Sequence, residues 1–167
     1  MTEKSKSATE FFVRTGIPAR EWNSYRENNF DVTGINKDTA ANSKLIKQFS
    51  QLASLVLLSS NSKLNIEKVL KYIGIPSNLF LDIVCSDNQL GEGSFRKIDE
   101  LTNIRKKYNL EYVNMLSIGD RYKTDVEPIL ELGGMGVVVD GAKELWNVLE
   151  ALKSGDWSNI SFYEVRS

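Results

Sequence analysis

The stretch GDRYKTDVEPILELGGMGVVVDG, residues 119–141, decides how this chain folds. It follows the apolar run VNMLSI at residues 113–118, and it contains a second apolar run, GVVV, at residues 136–139. Between the two runs, TDVE at residues 124–127 has the pattern of a capping box, and the helix that it opens ends at Gly133. An apolar strand, a capped helix and another apolar strand are typical of a βα unit in a parallel sheet.

The same alternation of apolar runs and helical segments extends toward both ends of the chain. Further strands that are covered on both faces are predicted at residues 55–59 (LVLLS) and 81–85 (LDIVC). Helical spacing of apolar residues predicts helices at residues 64–73, about 94–108 and 142–152. We therefore expect an α/β fold with a Rossmann-like three-layer α/β/α arrangement and a mostly parallel sheet.

The two ends of the chain have different patterns. Before Leu55, the sequence pattern predicts helices at residues 8–14, 19–28 and 39–53. The tail after Gly155 either adds a short strand at residues 160–165 or serves as an oligomer contact. The chain is accordingly divided into a polar and helical region, a core and a tail, at residues 1–44, 45–155 and 156–167.

Composition restricts the partners and the chemistry. The formal net charge of -1 provides no basic field for nucleic acid. Cys85 is the only cysteine and there is no histidine, which excludes an intrachain disulfide and a cysteine-rich zinc site. Chemistry must therefore depend on carboxylates, hydroxyls and lysines. Because no apolar run is long enough for a bilayer and residues 1–10 lack a signal-peptide core, we expect no membrane association and a cytoplasmic protein.

Two aspartates lie where the strand at residues 113–118 passes into the next helix. Asp120 is expected at the carboxyl end of the strand, and Asp125 in the first turn that follows. Ligands of open parallel sheets bind at that edge, and Mg²⁺ is held by carboxylates together with water and substrate phosphate. The alternative is that Asp125 only caps a helix and Asp120 only ends a strand.

A second candidate site follows the strand at residues 55–59. Ser60, Asn61 and Ser62 lie just before a helix N-terminus, where backbone N–H groups and the helix dipole favour phosphate. Helix capping by one of these side chains is the alternative. Lys97 begins the next amphipathic helix, where it either adds positive charge to a phosphate site or is simply solvated.

In this order, the Ser60-Asn61 strand end, Lys97, and Asp120 with Asp125 resemble the second, third and fourth motifs of the haloacid dehalogenase (HAD) superfamily. The resemblance implies that Ser60 holds the transferring phosphoryl group and that Asn61 assists through its backbone N–H. It implies that Lys97 stabilises the phosphoryl charge and the nucleophile, as a second catalytic residue. Asp120 and Asp125 would hold Mg²⁺, directly or through its hydration shell.

The first motif of that family, a hydrophobic strand followed by Asp-x-Asp, is not found. The nearest stretch, FDVTG at residues 30–34, has Thr33 where the second aspartate belongs, and a turn explains Asp31 better than a nucleophile does. Residues 8–28 are similar to the cap insertion of the family. The place of the first-motif strand would be filled by a preceding segment, by residues 161–165 or 11–14, or by a rearranged sheet.

Three functions follow from this pattern. The first is a Mg²⁺-dependent phosphohydrolase acting on a small phosphorylated metabolite, incomplete or inactive if the nucleophile is missing. The second is a non-catalytic HAD-like module that binds phosphate or metal. The third is a structural α/β domain whose motif matches are capping residues.

Overall fold

A computed structural model of the chain describes residue 16 and residues 18–35, 39–85 and 95–164. Their helices are α1 (Ala19–Asn29), α2 (Thr39–Leu52), α3 (Lys63–Tyr72), α4 (Lys97–Tyr108), α5 (Glu127–Glu131) and α6 (Ala142–Ser154). Their strands are β1 (Val56–Ser59), β2 (Asp82–Cys85), β3 (Leu116–Gly119), β4 (Met135–Val138) and β5 (Phe162–Glu164). The chain thus has a mixed α/β fold, as the sequence predicts, and the helix expected at residues 8–14 lies outside the described residues.

The strands that the structure describes form two separate sheets. β1 pairs with β2 in one sheet, while β3, β4 and β5 follow one another in the other. The β1–β2 and β3–β4 pairings are parallel, with Ser59 opposite Cys85 and Gly119 opposite Val138. β5 is antiparallel to β4. The strand predicted in the C-terminal tail is therefore confirmed, and it extends the sheet beyond β4 rather than filling a place between β1 and β3.

Two local predictions around β3 are wrong. Residues 112–114 form a 3₁₀ turn, so β3 begins only at Leu116. The capping box predicted at residues 124–127 is replaced by a wide π turn at Tyr122–Val126, and α5 begins at Glu127 without a side-chain cap. The Thr124 hydroxyl donates instead to Oδ1 of Asp125 at 3.0 Å. The physical reason is that the Thr124 hydroxyl, which would cap the helix, is turned to the carboxylate of Asp125.

The larger hydrophobic core lies against β4. Val137 and Val139 are buried in one cluster with side chains from two helices: Leu45 and Phe49 of α2, and Val148 and Leu149 of α6. Since side chains alternate across a strand, Gly136 belongs to the opposite face. A Cβ atom at Gly136 would lie 2.5 Å from Cγ1 of Val126, so the π turn covers that face at close range.

A smaller cluster joins α3 to the other sheet. It consists of buried Ile66 and Leu70 on α3 and buried Cys85 at the end of β2. α4 connects the two sheets, because Lys107 and Tyr108 at its C-terminal end hydrogen-bond Oδ2 of Asp82 on β2 at 2.7 and 3.1 Å. The other end of α4 lies beside the π turn that follows β3.

The last turn of α1 and the segment that follows it pack over α3. The backbone oxygen of Glu27 accepts from Nζ of Lys68 at 2.6 Å, and that of Thr33 accepts from the hydroxyl of Tyr72 at 3.4 Å. α2 then runs unbroken through residues 44 and 45, and the domain boundary at that point stays a prediction. None of the helices within the described ranges has both the length and the apolar character to cross a bilayer.

Candidate functional site

The candidate site lies at the carboxyl ends of the parallel strands. β3 ends at Gly119, and Asp120 follows it with 72% of its side chain exposed. β1 ends at Ser59, and Ser60 follows it, also exposed. Both residues therefore emerge from strand ends, where α/β proteins bind ligands.

The structure brings Lys97 and Asp125 into direct contact. Nζ of Lys97 lies 2.5 Å from Oδ1 of Asp125, and the two side chains are 22% and 10% exposed. Lys97 is the first residue of α4 and Asp125 lies in the π turn, so the contact links two βα units. A short ion pair with so little solvent around it is weakly screened and holds its two charges in fixed positions.

Asp125 is held by several further hydrogen bonds. Its Oδ2 accepts from the backbone N–H of Arg121 at 3.0 Å, and its Oδ1 accepts from the Thr124 hydroxyl. The hydroxyl of Ser117, on β3, donates to the backbone oxygen of Asp125 at 2.6 Å. The carboxylate and the turn that carries it are thus fixed by β3, by the turn itself and by α4.

The shape of the turn depends on a wide hydrogen bond and on a glycine. The backbone N–H of Glu127 donates to the carbonyl of Tyr122, five residues earlier. Such π turns are rare and occur frequently at functional sites. A Cβ atom on Gly119 would lie 2.4 Å from Cβ and 2.6 Å from Oδ2 of Asp125. Only glycine at this position lets the carboxylate lie against the end of β3.

These contacts determine the charge state of Asp125. Partial burial alone would raise the pKa of this carboxyl, because it disfavours the charged form. The hydrogen bond and charge of Lys97, with donors at Arg121 and Thr124, outweigh burial and lower the pKa below its ordinary value of 3.8. Asp125 is therefore a firmly ionised partner for Lys97 at neutral pH.

The segment after β1 combines a helix cap with an exposed hydroxyl. Ser62 is the N-cap of α3, since its Oγ accepts from the backbone N–H of Asn65 at 3.4 Å. The backbone N–H of Asn61 donates to Oγ of Ser59 at 3.2 Å. Ser60 takes no part in either contact. Among the described residues, no hydrogen bond or ion pair joins Ser60 to Lys97, so the structure does not bring these two together directly.

Asp120 and Asp125 differ in how far their carboxylate oxygens are already used by other groups, and so in how well each can bind a cation. Around Asp120 the structure gives one partner, Nε of Arg121 at 3.7 Å from Oδ2. Both oxygens of Asp125 already accept hydrogen bonds. Within the residues that the structure describes, no three histidine, cysteine or acidic side chains are grouped closely enough to form a metal site. Mg²⁺ needs only one or two carboxylates when water and phosphate complete its shell, and exposed Asp120 fits that requirement.

Asp31 belongs to a turn, as the sequence predicts. Its Oδ1 accepts from the backbone N–H of Thr33 and its Oδ2 from the Thr33 hydroxyl, both at 2.8 Å. The backbone N–H bond, followed by the hydroxyl bond, lowers the pKa of this exposed carboxyl. Such a side chain stabilises its own turn and has both oxygens occupied.

Three residues of the site were not identified from the sequence: Ser117, Gly119 and Arg121. Ser117 was read as part of an apolar strand, and Arg121 contributes only its backbone N–H, which no sequence pattern marks. A signal existed for Gly119, because a glycine inside or at the end of a strand often marks a close approach.

No protein-family model and no curated protein sequence matches the chain. Among solved structures, one that matches is a haloacid dehalogenase-like family hydrolase from Xanthomonas campestris, at 21% sequence identity and a TM-score of 0.49. The match covers 60% of this chain and 40% of that chain, so this chain spans less than half of the neighbour's length.

Proposed function

We propose that this chain carries a HAD-type phosphohydrolase site for a small phosphorylated metabolite, with Mg²⁺ as its cofactor and the cytoplasm as its location. The site is incomplete or inactive in this chain because the nucleophile motif is missing. The observation that carries the proposal is the ion pair between Lys97 and Asp125, 2.5 Å apart at the carboxyl edge of β3. A lysine fixed at this edge by a partly buried carboxylate presents its charge to an anion that enters there.

Each site residue has a separate role in this proposal. The exposed Ser60 hydroxyl binds phosphoryl oxygens, and the Asn61 backbone N–H would exchange its hydrogen bond to Ser59 for one to them. Lys97 neutralises their charge as the second catalytic residue. Asp120 would hold Mg²⁺. Asp125 orients Lys97 and would help to hold the metal. The bound Mg²⁺ would supply charge neutralisation to the phosphate.

The proposal includes a three-layer core that positions these residues. β4 supports it because Val137 packs with α2 and α6 on one face, while Gly136 lies against Val126 of the π turn on the other. Helical or turn layers on both faces leave the strand ends as the open edge for ligands. The first 44 residues would then act as a cap-like region over that edge.

A second candidate function is a non-catalytic module that binds phosphate or Mg²⁺. The contacts of Asp31 favour it, because both oxygens of this carboxylate are used within its own turn. Covalent phosphoryl transfer requires a free carboxylate nucleophile aimed at phosphorus. Binding without turnover is the result expected of such a module.

The decisive experiment is calorimetric titration of the full chain with inorganic phosphate in the presence and absence of Mg²⁺. We expect phosphate to bind, and to bind more tightly when Mg²⁺ is present. Lys97→Met should lower the phosphate affinity at least about tenfold, and Asp120→Asn should abolish the effect of Mg²⁺ on that affinity.

Lys107→Met is the matched control for Lys97→Met. Lys107 also forms an ion pair with an aspartate on a strand, because its Nζ lies 2.7 Å from Oδ2 of Asp82. This pair lies at the amino end of β2, away from the carboxyl edge. Its removal should leave phosphate affinity unchanged. Equal loss of affinity in the two lysine variants, or Mg²⁺ binding untouched by Asp120→Asn, would refute the assignment.

A further inference from the structure

Three neighbouring residues in the sheet of β3, β4 and β5 contact the π turn at Tyr122–Val126. They are register partners, because Ser117 of β3 lies opposite Gly136 of β4, and Gly136 lies opposite Tyr163 of β5. Residues directly opposite one another in a sheet lie on the same face. The three residues therefore form a row across one face of the sheet, and the turn lies over that row.

The first two members of the row hold the end of the turn. The Ser117 hydroxyl donates to the backbone oxygen of Asp125 at 2.6 Å. Gly136 leaves the room that the side chain of Val126 occupies, since an added Cβ atom would lie 2.5 Å from Cγ1 of that valine. β3 and β4 thus hold the last two residues of the turn.

The third member of the row holds the beginning of the turn. The rings of Tyr163 and Tyr122 meet edge to face, with their centroids 5.2 Å apart and an interplanar angle of 60°. Tyr122 is the first residue of the turn, and its carbonyl accepts the wide hydrogen bond from the backbone N–H of Glu127. An aromatic pair of this geometry is attractive beyond the area that it buries. The contact therefore fixes the residue on which the π hydrogen bond closes.

The Tyr163 ring is not needed to attach β5 to the sheet. Its neighbour Phe162 packs against the larger hydrophobic core, on the opposite face. Tyr163 is 37% exposed and Tyr122 is 40% exposed. Removal of the Tyr163 ring therefore opens no cavity in the core, and β5 keeps its core contacts and its pairing with β4. What the ring adds is a contact to the turn.

We propose that Tyr163 is a positioning residue of the candidate site, because its ring holds Tyr122 and thereby keeps the carboxylate of Asp125 in place for Lys97. The inference rests on the function proposed above, in which Lys97 meets an incoming phosphate. Lys97 and Asp125 lie in different βα units, so a small displacement of the turn changes their contact of 2.5 Å. The C-terminal strand thus controls the geometry of the site without itself touching the ligand.

The first test is amide hydrogen exchange, measured by NMR on the full chain. Two amides report the turn directly, because Glu127 donates to the carbonyl of Tyr122 and Arg121 donates to Oδ2 of Asp125 at 3.0 Å. We expect exchange at both amides to accelerate about 3- to 10-fold in Tyr163→Ala, as the loss of one aromatic pair implies. Tyr163→Phe keeps the ring and should restore the wild-type rates.

Glu164→Ala is the matched control, because Glu164 is also exposed on β5 but lies on the opposite face. It should leave both amides at their wild-type rates. Equal acceleration in Tyr163→Ala and Glu164→Ala, or unchanged exchange in Tyr163→Ala, overturns the proposal. Acceleration that extends equally to the amides of α3 assigns the ring to global stability and overturns the proposal as well.

A double-mutant cycle separates the ring contact from other effects of the substitution. In a Tyr122→Ala background the ring contact is already lost, so Tyr163→Ala should change exchange at Glu127 by less than about twofold. Independent effects, in which Tyr163→Ala accelerates exchange as much as it does in the wild-type background, overturn the proposal.

Calorimetric titration with inorganic phosphate connects the turn to the proposed function. Tyr163→Ala should weaken phosphate binding about 3- to 10-fold, and Tyr163→Phe should not. Faster exchange with an unchanged phosphate affinity overturns the positioning role. If the wild-type chain itself binds no phosphate, the proposed function fails, and exchange at Arg121 and Glu127 still decides whether Tyr163 holds the turn and Asp125.

Discussion

Substitution of Gly119 by alanine tests how the carboxylate of Asp125 is held. The new methyl group would lie 2.4 Å from Cβ of Asp125, whereas ordinary contact begins at 3.4 Å. Asp125 must therefore retreat by about 1 Å, and its 2.5 Å contact with Lys97 lengthens beyond a good hydrogen bond. Overpacking of this kind costs about 1–3 kcal/mol of the free energy of unfolding.

The assay is urea unfolding at neutral pH, with Gly34→Ala as the control. Gly34 has nothing within 4 Å of an added Cβ atom, so its variant should unfold within about 0.5 kcal/mol of wild type. With a slope of about 2 kcal/mol per molar urea, Gly119→Ala should lower the midpoint by about 0.5–1.5 M. Carbon-detected NMR titration should also show the pKa of Asp125 returning toward 3.8. An unchanged midpoint together with an unchanged pKa would refute the close packing described for this site.

Three further predictions concern the charge of Lys97, the cap of α3 and the turnover of a phosphomonoester. Lys97→Met should cost about 1–3 kcal/mol at neutral pH. Since the pKa of Asp125 is lowered from 3.8, this deficit should persist above that pH and shrink as the pH falls through the lowered pKa; a deficit independent of pH contradicts it. Ser62→Ala should cost about 1 kcal/mol in thermal unfolding as a lost N-cap, whereas Ser60→Ala should cost nearly nothing; equal losses would mean that the cap is misassigned. Turnover of a chromogenic phosphomonoester with Mg²⁺ should be very slow or absent, and Asp31→Asn should not change it; robust turnover lost in Asp31→Asn would identify the missing nucleophile.

The strands could be predicted from sequence because their signal is local. Apolar runs such as LVLLS and GVVV lie within one or two residues of the observed β1 and β4. The division into two sheets could not be predicted, because strand pairing depends on backbone edges that are far apart in sequence. The antiparallel direction of β5 could not be predicted either, because the spacing of apolar residues carries no information about strand direction.

The candidate site was only partly predictable for the same reason. The end of the strand placed Asp125 at the carboxyl edge, and the family resemblance placed Lys97 at the same site. The structure brings the two side chains into contact, while their roles stay a prediction. The TDVE pattern was misread as a helix cap because a cap is a local motif. What fixes Asp125 is a lysine 28 residues away and a glycine that makes room for it.

The wide turn at Tyr122–Val126 has a consequence for how this segment can vary by insertion or deletion. Removing one residue from it would convert the wide hydrogen bond into an ordinary helical one and rotate the following residues by about 100° around the helix axis. The side chain of Val126 would then lose its contact with Gly136, and the carboxylate of Asp125 would no longer face Nζ of Lys97. The length of this turn is thus more constrained than its exposed side chains, so homologous chains that keep the ion pair should differ here by substitution and never by an alignment gap.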